Sequence, residues 1–240
     1  MGLKEDIINK AKEIESSEFE VEQISSIPTI DISELTFGCT GLEFESAVLY
    51  IDMRGSTIML EKCQKRVVAG ILMIYYHTIV KIAKTTGGEI RSFNGDSLLV
   101  FYQGTTKGTL SNAVKAAMQM RYAITELVNE QLKRYTDINF GIGIDYGKVL
   151  ATKVGVGRSD VTKDLIWIGS AVNKSVKISD ECKNPTYVGI SEFVYNNLED
   201  YVKYGTEKNS RGQVDIWTPS PFMYNGKRET YYHTPYGYDL

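Results

Sequence analysis

The stretch INFGIGIDYG, Ile138 to Gly147, alternates through its first eight residues: Ile138, Phe140, Ile142 and Ile144 face one way, and Asn139, Gly141, Gly143 and Asp145 the other. A period of two belongs to a β-strand with one buried face and excludes a helix. The segments before it build the rest of a unit. SAVLYIDM reads as a continuous apolar strand ending on Asp52, followed by the turn RGS. From Thr57 to Thr86, Leu60, Cys63, Val67, Ile71, Ile74 and Ile82 trace one helical face, and Gly87 and Gly88 stop it. GGEIRSFNGDSLLVFY reads as two short strands around a tight turn, with Arg91 at the end of the first and Asp96 in the turn. A second helix from about Leu110 to Tyr135 carries Ala113, Ala117, Ile124, Leu127 and Leu132 on one side. LIWIGSAVNKSVKIS is a strand turning into a helix at Ser170, and the Tyr- and Trp-rich tail reads as further short strands. The order β-α-β-β-α-β predicts an α+β fold, a ferredoxin-like antiparallel sheet with helices on one face and a C-terminal strand extension. Residues 45–240 form that domain. Residues 1–44 read as a short amphipathic helix, with Leu3, Ile7, Ile8, Ala11 and Ile14 at helical spacing, and an extended arm around Pro28.

Composition narrows the chemistry. The chain has 240 residues, 42% hydrophobic and 24% charged, as in ordinary globular proteins. A net charge of -3 gives no general attraction for nucleic acid or an anionic membrane. No apolar run approaches a membrane span, and MGLKEDIINK is too charged for a secretory signal. Cys39, Cys63 and Cys182 are odd in number and widely spaced, the pattern of free thiols in a reducing cytoplasm. With two histidines, His77 and His233, carboxylates must do any metal work.

In the β-α-β-β arrangement the strand ending at Asp52 neighbours the hairpin carrying Asp96, so the two carboxylates converge on one rim. Such a pair suits hard divalent cations when a substrate phosphate completes the shell, and two ions can clamp an in-line phosphoryl transfer. Next to Asp52, MRGST opens a helix whose free N–H groups can cradle phosphate. Singly, Asp96 is an ordinary turn residue and Ser56 or Thr57 a helix cap. Jointly, at matching strand ends, they point to a site.

VLYIDMRGST, GGEIRSFNGDSLLVFY, INFGIGIDYGKV and LIWIGSAVNKSVKIS resemble, in order and spacing over about residues 46 to 200, the four core blocks of the class III nucleotidyl cyclases. The resemblance implies that Asp52 and Asp96, helped by the Met53 carbonyl, hold two Mn2+ or Mg2+ ions. It implies that Gly55, Ser56 and Thr57 wrap a triphosphate and that Asn173 positions the ribose. The reaction it implies is attack of a nucleoside triphosphate's 3′-hydroxyl on its own α-phosphate. It further implies a homodimer with shared active sites, one subunit giving the aspartates and the other the Asn173 helix.

Several positions depart from the family's usual residues. Arg91 stands where adenylate cyclases carry lysine and guanylate cyclases glutamate. Ile166, beside Trp167, stands at a second base-reading position that is usually polar, and Tyr50 at the base-flanking aromatic one. Arginine offers only donors, which suits carbonyl-rich uracil; an adenine amine would stay unpaired, at about 1–3 kcal/mol. The pattern resembles the bacterial pyrimidine cyclases of Pycsar anti-phage systems, whose product activates a separate effector protein. UTP is thus favoured; CTP, then ATP, remain alternatives, as does a catalytically dead nucleotide-binding module. Lys177 replaces the family's transition-state arginine, keeping the charge without the planar fork. Asp145 replaces a usual histidine and Gly141 an arginine, and Lys227 in NGKRE is a counterpart to a phosphate-contacting lysine.

Overall fold

The computed structural model describes residues 2–29, 35, 38–155, 163–206 and 212–240. Residues 30–34, 36 and 37 of the expected arm lie outside them. The elements run α1 (Leu3–Ser16), β1 (Glu20–Gln23), β2 (Thr40–Arg54), α2 (Ser56–Lys62), α3 (Lys65–Thr85), β3 (Glu89–Asn94), β4 (Ser97–Gln103) and α4 (Lys107–Tyr122). A π-helical turn, Ala123–Val128, leads into α5 (Asn129–Leu132). Then follow β5 (Asn139–Gly155), β6 (Lys163–Ile168), α6 (Ser170–Glu181), β7 (Val188–Ser191), α7 (Glu192–Asn196), α8 (Asp200–Lys203), β8 (Tyr204–Thr206), β9 (Gln213–Asp215), β10 (Thr218–Tyr224) and β11 (Lys227–Thr234). Among the described residues the main sheet has the order β10-β11-β7-β5-β2-β4-β3, with β1 added to β2 and β6 to β5. The central β5-β2-β4-β3 part is antiparallel throughout, the ferredoxin-like arrangement the element order predicts.

Alternation on β5 divides the layers. Phe140, Ile142 and Ile144 point into the main core with Leu49 and Ile51 of β2, Val100 of β4, and the buried faces of α3 and α4. The opposite face is where α6 lies. A Cβ on Gly143 would fall 2.0 Å from the Ser175 carbonyl oxygen, and one on Gly141 2.4 Å from that of Ser179. The glycines let the helix backbone rest directly on the strand. Helices therefore cover both faces, where the sequence pattern suggested one.

Two helical stripes also differ from expectation. Helix 57–86 is two helices broken at Cys63 and Gln64. The buried face of α3 is Val68, Ile71, Tyr75, Ile79, Ile82 and Ala83, while Leu60 and Ile74 are exposed. After α4, the π turn inserts one residue into the helical repeat, which rotates Val128 inward and leaves Leu127 exposed. α3 is also long and apolar enough to cross a membrane, with a mean hydropathy of 1.4, contrary to the reading that no run approaches a span. Here it is a core helix, with its apolar stripe packed on the sheet.

Candidate active site

β2 and β4 pair so that Asp52 lies opposite Ser97. β3 and β4 close around Gly95 and Asp96, with Asn94 paired to Ser97. Gly95 has φ of 63°, the left-handed conformation that a tight hairpin turn requires. The Met53 N–H donates to the Asp96 carbonyl at 3.3 Å, and the Tyr76 hydroxyl of α3 donates to the Gly95 carbonyl. The turn is thus tied to β2 from one side and to α3 from the other, and Asp52 and Asp96 share one rim. Burial raises the Asp52 carboxyl above its ordinary value; Arg54 works against this, and the negative charges of Asp96 and Asp180 add to it.

Arg54 received no role from the sequence, although it stands inside MRGST. Its Nη1 is 2.5 Å from Asp52 Oδ2 and 3.7 Å from Asp180 Oδ1. Its Nη2 donates to the Ser179 carbonyl at 2.6 Å, capping the last turn of α6. Arg54 is therefore both the counter-ion of the acidic rim and the latch of α6. Tyr76 had no distinguishing signal, since a tyrosine beside a helical stripe reads as surface.

Gly55 has φ of 74° and precedes α2, so the chain turns sharply from Asp52 into a helix start. Ser56 is half-buried and Thr57 exposed there, beside the carboxylate rim. Asp52 and Asp96 offer oxygen ligands, and no group of three or more His, Cys, Asp or Glu residues suited to a metal occurs among the described residues. Two convergent carboxylates whose mutual repulsion a cation would relieve fit Mn2+ or Mg2+, with the remaining ligands coming from a triphosphate. Arg54 competes for one Asp52 oxygen.

The other predicted residues fall into two further groups. Asn173 and Lys177, one helical turn apart on α6, line an open cleft of about 330 Å3 with Met223, Tyr224 and Asn225 of the β10–β11 hairpin. Lys177 Nζ lies 3.6 Å from Asp180 Oδ2. Lys227 begins β11 just after that turn and is exposed. The other group comprises Tyr50, Arg91 and Trp167. Tyr50, on the Asp52 face of β2, is half-buried beside Ser97, and burial raises its phenol above the ordinary value. Trp167 turns inward, its ring centroid 4.8 Å from that of Phe101, whereas Ile166 is 41% exposed on the other side of β6. Arg91 lies inside β3 at the bulge between Ile90 and Ser92 rather than at a strand end, and its guanidinium faces the N-terminal arm.

The family model described as the adenylate and guanylate cyclase catalytic domain matches residues 43–234. The chain belongs to this family. As a member it is a nucleotidyl cyclase. It is 29% identical over 214 residues to a uridylate cyclase of Xanthomonas perforans, covering 87% of this chain and 89% of the relative. It is 31% identical over 213 residues to one of Gulbenkiania mobilis, covering 82% and 81%. Among solved structures, the guanylyl cyclase Cya2 superposes with a TM-score of 0.64 at 22% identity over 80% of this chain and 92% of that one. The adenylyl cyclase CyaB from P. aeruginosa does so with a TM-score of 0.64 at 20% identity, over 81% and 95%. These structural likenesses bear on the fold of the cyclase.

Proposed function

We propose that this cyclase converts UTP to 3′,5′-cyclic UMP and pyrophosphate in the cytoplasm, as a homodimer with sites shared between subunits. The observation that carries the reaction class is the convergence of Asp52 and Asp96 on one rim beside the helix start at Gly55. The ribose 3′-oxygen forms a bond to the α-phosphorus, the bond to the pyrophosphate oxygen breaks as pyrophosphate leaves, and the hydroxyl proton passes to solvent water. Asp52 and Asp96 hold two Mn2+ or Mg2+ ions. Bound there, such ions supply acidification of the hydroxyl and charge neutralisation of the leaving group. The Gly55–Thr57 backbone orients the triphosphate, Asn173 the ribose, and Lys177 offers positive charge to the phosphates. Asn173 and Lys177 line a cleft with Met223, Tyr224 and Asn225 rather than with Asp52 and Asp96, which supports a site completed by a second copy. Uracil is favoured because Arg91 only donates hydrogen bonds, and the relatives named uridylate cyclase support the same base. The product signals to a separate cyclic-nucleotide-responsive effector, as in Pycsar anti-phage defence.

Purified protein with equimolar ATP, GTP, CTP and UTP plus Mn2+, with products separated by chromatography and mass detection, tests this reading. cUMP is expected; cAMP or cGMP alone would refute the base assignment. Asp52→Ala should remove turnover and leave the dimer intact. Mixing Asp52→Ala with Asn173→Ala should restore activity through one intact site per heterodimer, and no rescue would refute shared sites.

A further inference from the structure

The arm that leads into the domain crosses the sheet at three of the four residues expected at the base, Tyr50, Arg91 and Trp167. β1 runs parallel to β2, with Gln23 opposite Glu43, and the Ile24 N–H donates to the Glu43 carbonyl at 2.9 Å. The next residues fold over the sheet. Ile27 is 6% exposed and packs in one cluster with Phe44, Val48, Leu99 and Phe101, with Tyr50 and Trp167 against it. The Pro28 carbonyl accepts from Arg91 Nε at 3.0 Å and the Ile27 carbonyl from Nη2 at 3.2 Å. Nη1 donates to the Ile90 carbonyl at 3.2 Å, and Nη2 also meets Glu89. Four of the five guanidinium N–H groups are thus taken. The side chain is 14% exposed. The buried Trp167 indole N–H, in the same cluster, has no acceptor among the described residues.

We propose that Ile24–Pro28 is an autoinhibitory strap that closes the base site, and this rests on the assignment of Arg91, Tyr50 and Trp167 to that site. Two backbone carbonyls occupy Arg91 where the carbonyl oxygens of a base would sit, and Ile27 is buried in the cluster against which Tyr50 and Trp167 pack. The closed arrangement is imperfect, since it leaves the Trp167 donor unmet, so opening exchanges strap contacts for water or ligand contacts. A nucleotide binds only the open fraction, and its apparent affinity falls by that fraction. The reduction is the same for every base. A strap therefore differs from a pocket wall, whose alteration changes the preference between bases.

Ile27→Ala removes the side chain that anchors the strap and leaves Arg91 and its acceptors in place. Equilibrium binding of UTP, CTP and ATP, with Ca2+ in place of Mn2+, should show each Kd lowered by one common factor, roughly tenfold. The UTP-to-CTP ratio should not move. Unchanged or weaker binding, or an altered ratio, would overturn the strap, as would a variant and a wild type that both bind nothing. Tightest binding of ATP in both proteins, with the common factor intact, would overturn the uridylate reading and leave the strap standing. Hydrogen exchange on the unaltered protein gives a second readout. UTP should accelerate exchange at Ser25, Ser26 and Ile27, and slower or unchanged exchange there would overturn the proposal.

Discussion

Gly143→Ala should damage both stability and turnover, although alanine is the smallest possible addition. The new Cβ would sit 2.0 Å from the Ser175 carbonyl oxygen and 2.5 Å from the Ser179 nitrogen, both backbone atoms of α6. Neither can rotate aside, so a contact of ~3 Å or more requires the helix to retreat by about 1 Å. Such a gap forfeits a quarter to half of each dispersion contact along the interface. Overpacking of this kind costs about 1–3 kcal/mol or somewhat more, offset by about 0.5–1 kcal/mol from replacing a strand glycine. A net loss of about 1–2 kcal/mol lowers Tm by about 2–8 °C in a domain of this size. Asn173 and Lys177 ride on the same helix, and a displacement of about 1 Å reduces turnover on the order of a hundredfold. Gly147→Ala is the control: the same strand and face, yet its Cβ would meet only the Ala171 Cβ at 3.5 Å, an ordinary contact. Thermal unfolding and cyclic nucleotide formation in saturating Mn2+ should separate the two variants. If Gly143→Ala matched Gly147→Ala in both, close backbone contact between α6 and β5 would not be what holds the helix.

Asp145 is buried, and its carboxyl is pushed by that burial up to about 6, against hydrogen bonds from Ser191 and the Tyr146 backbone. The folded state thus binds this proton more tightly than the unfolded chain. Its stabilising effect is full below about pH 4 and is lost as pH rises through 6. Relative to Asp145→Asn, wild-type stability in urea should fall by about 1.4 kcal/mol per pH unit between ~4 and ~6 and stay level above; parallel curves would contradict it. Tyr76→Phe removes the hydroxyl that holds Gly95, at a stability loss of about 1 kcal/mol. It should raise the Mn2+ concentration for half-maximal rate several-fold without changing base preference, as a metal titration of initial rates would show.

Much of this architecture is local and therefore readable in the chain. The alternation of Ile138, Phe140, Ile142 and Ile144 set a strand and its main-core face, though α6 buries the other face too, and the β-α-β-β order placed Asp52 and Asp96 at neighbouring strand ends, because pairing in such a unit leaves few alternatives. The glycines at 141 and 143 lay in plain view on the opposite face. What they admit, an α6 backbone at contact distance, depends on a helix over thirty residues downstream and is invisible to periodicity. The π turn that exposes Leu127 and buries Val128 shifts the repeat by one residue, which no period of 3.6 anticipates. Arg54 read as part of a turn until the tertiary structure brought Ser179 and Asp180 to it across 125 and 126 positions of chain. The same holds for Arg91. Its donors and its place on the strand before the Asp96 turn belong to the sequence, but the carbonyls of Ile27 and Pro28 reach it from 64 and 63 residues away. Backbone carbonyls carry no residue signature, so only the folded course of the arm decides which guanidinium they occupy.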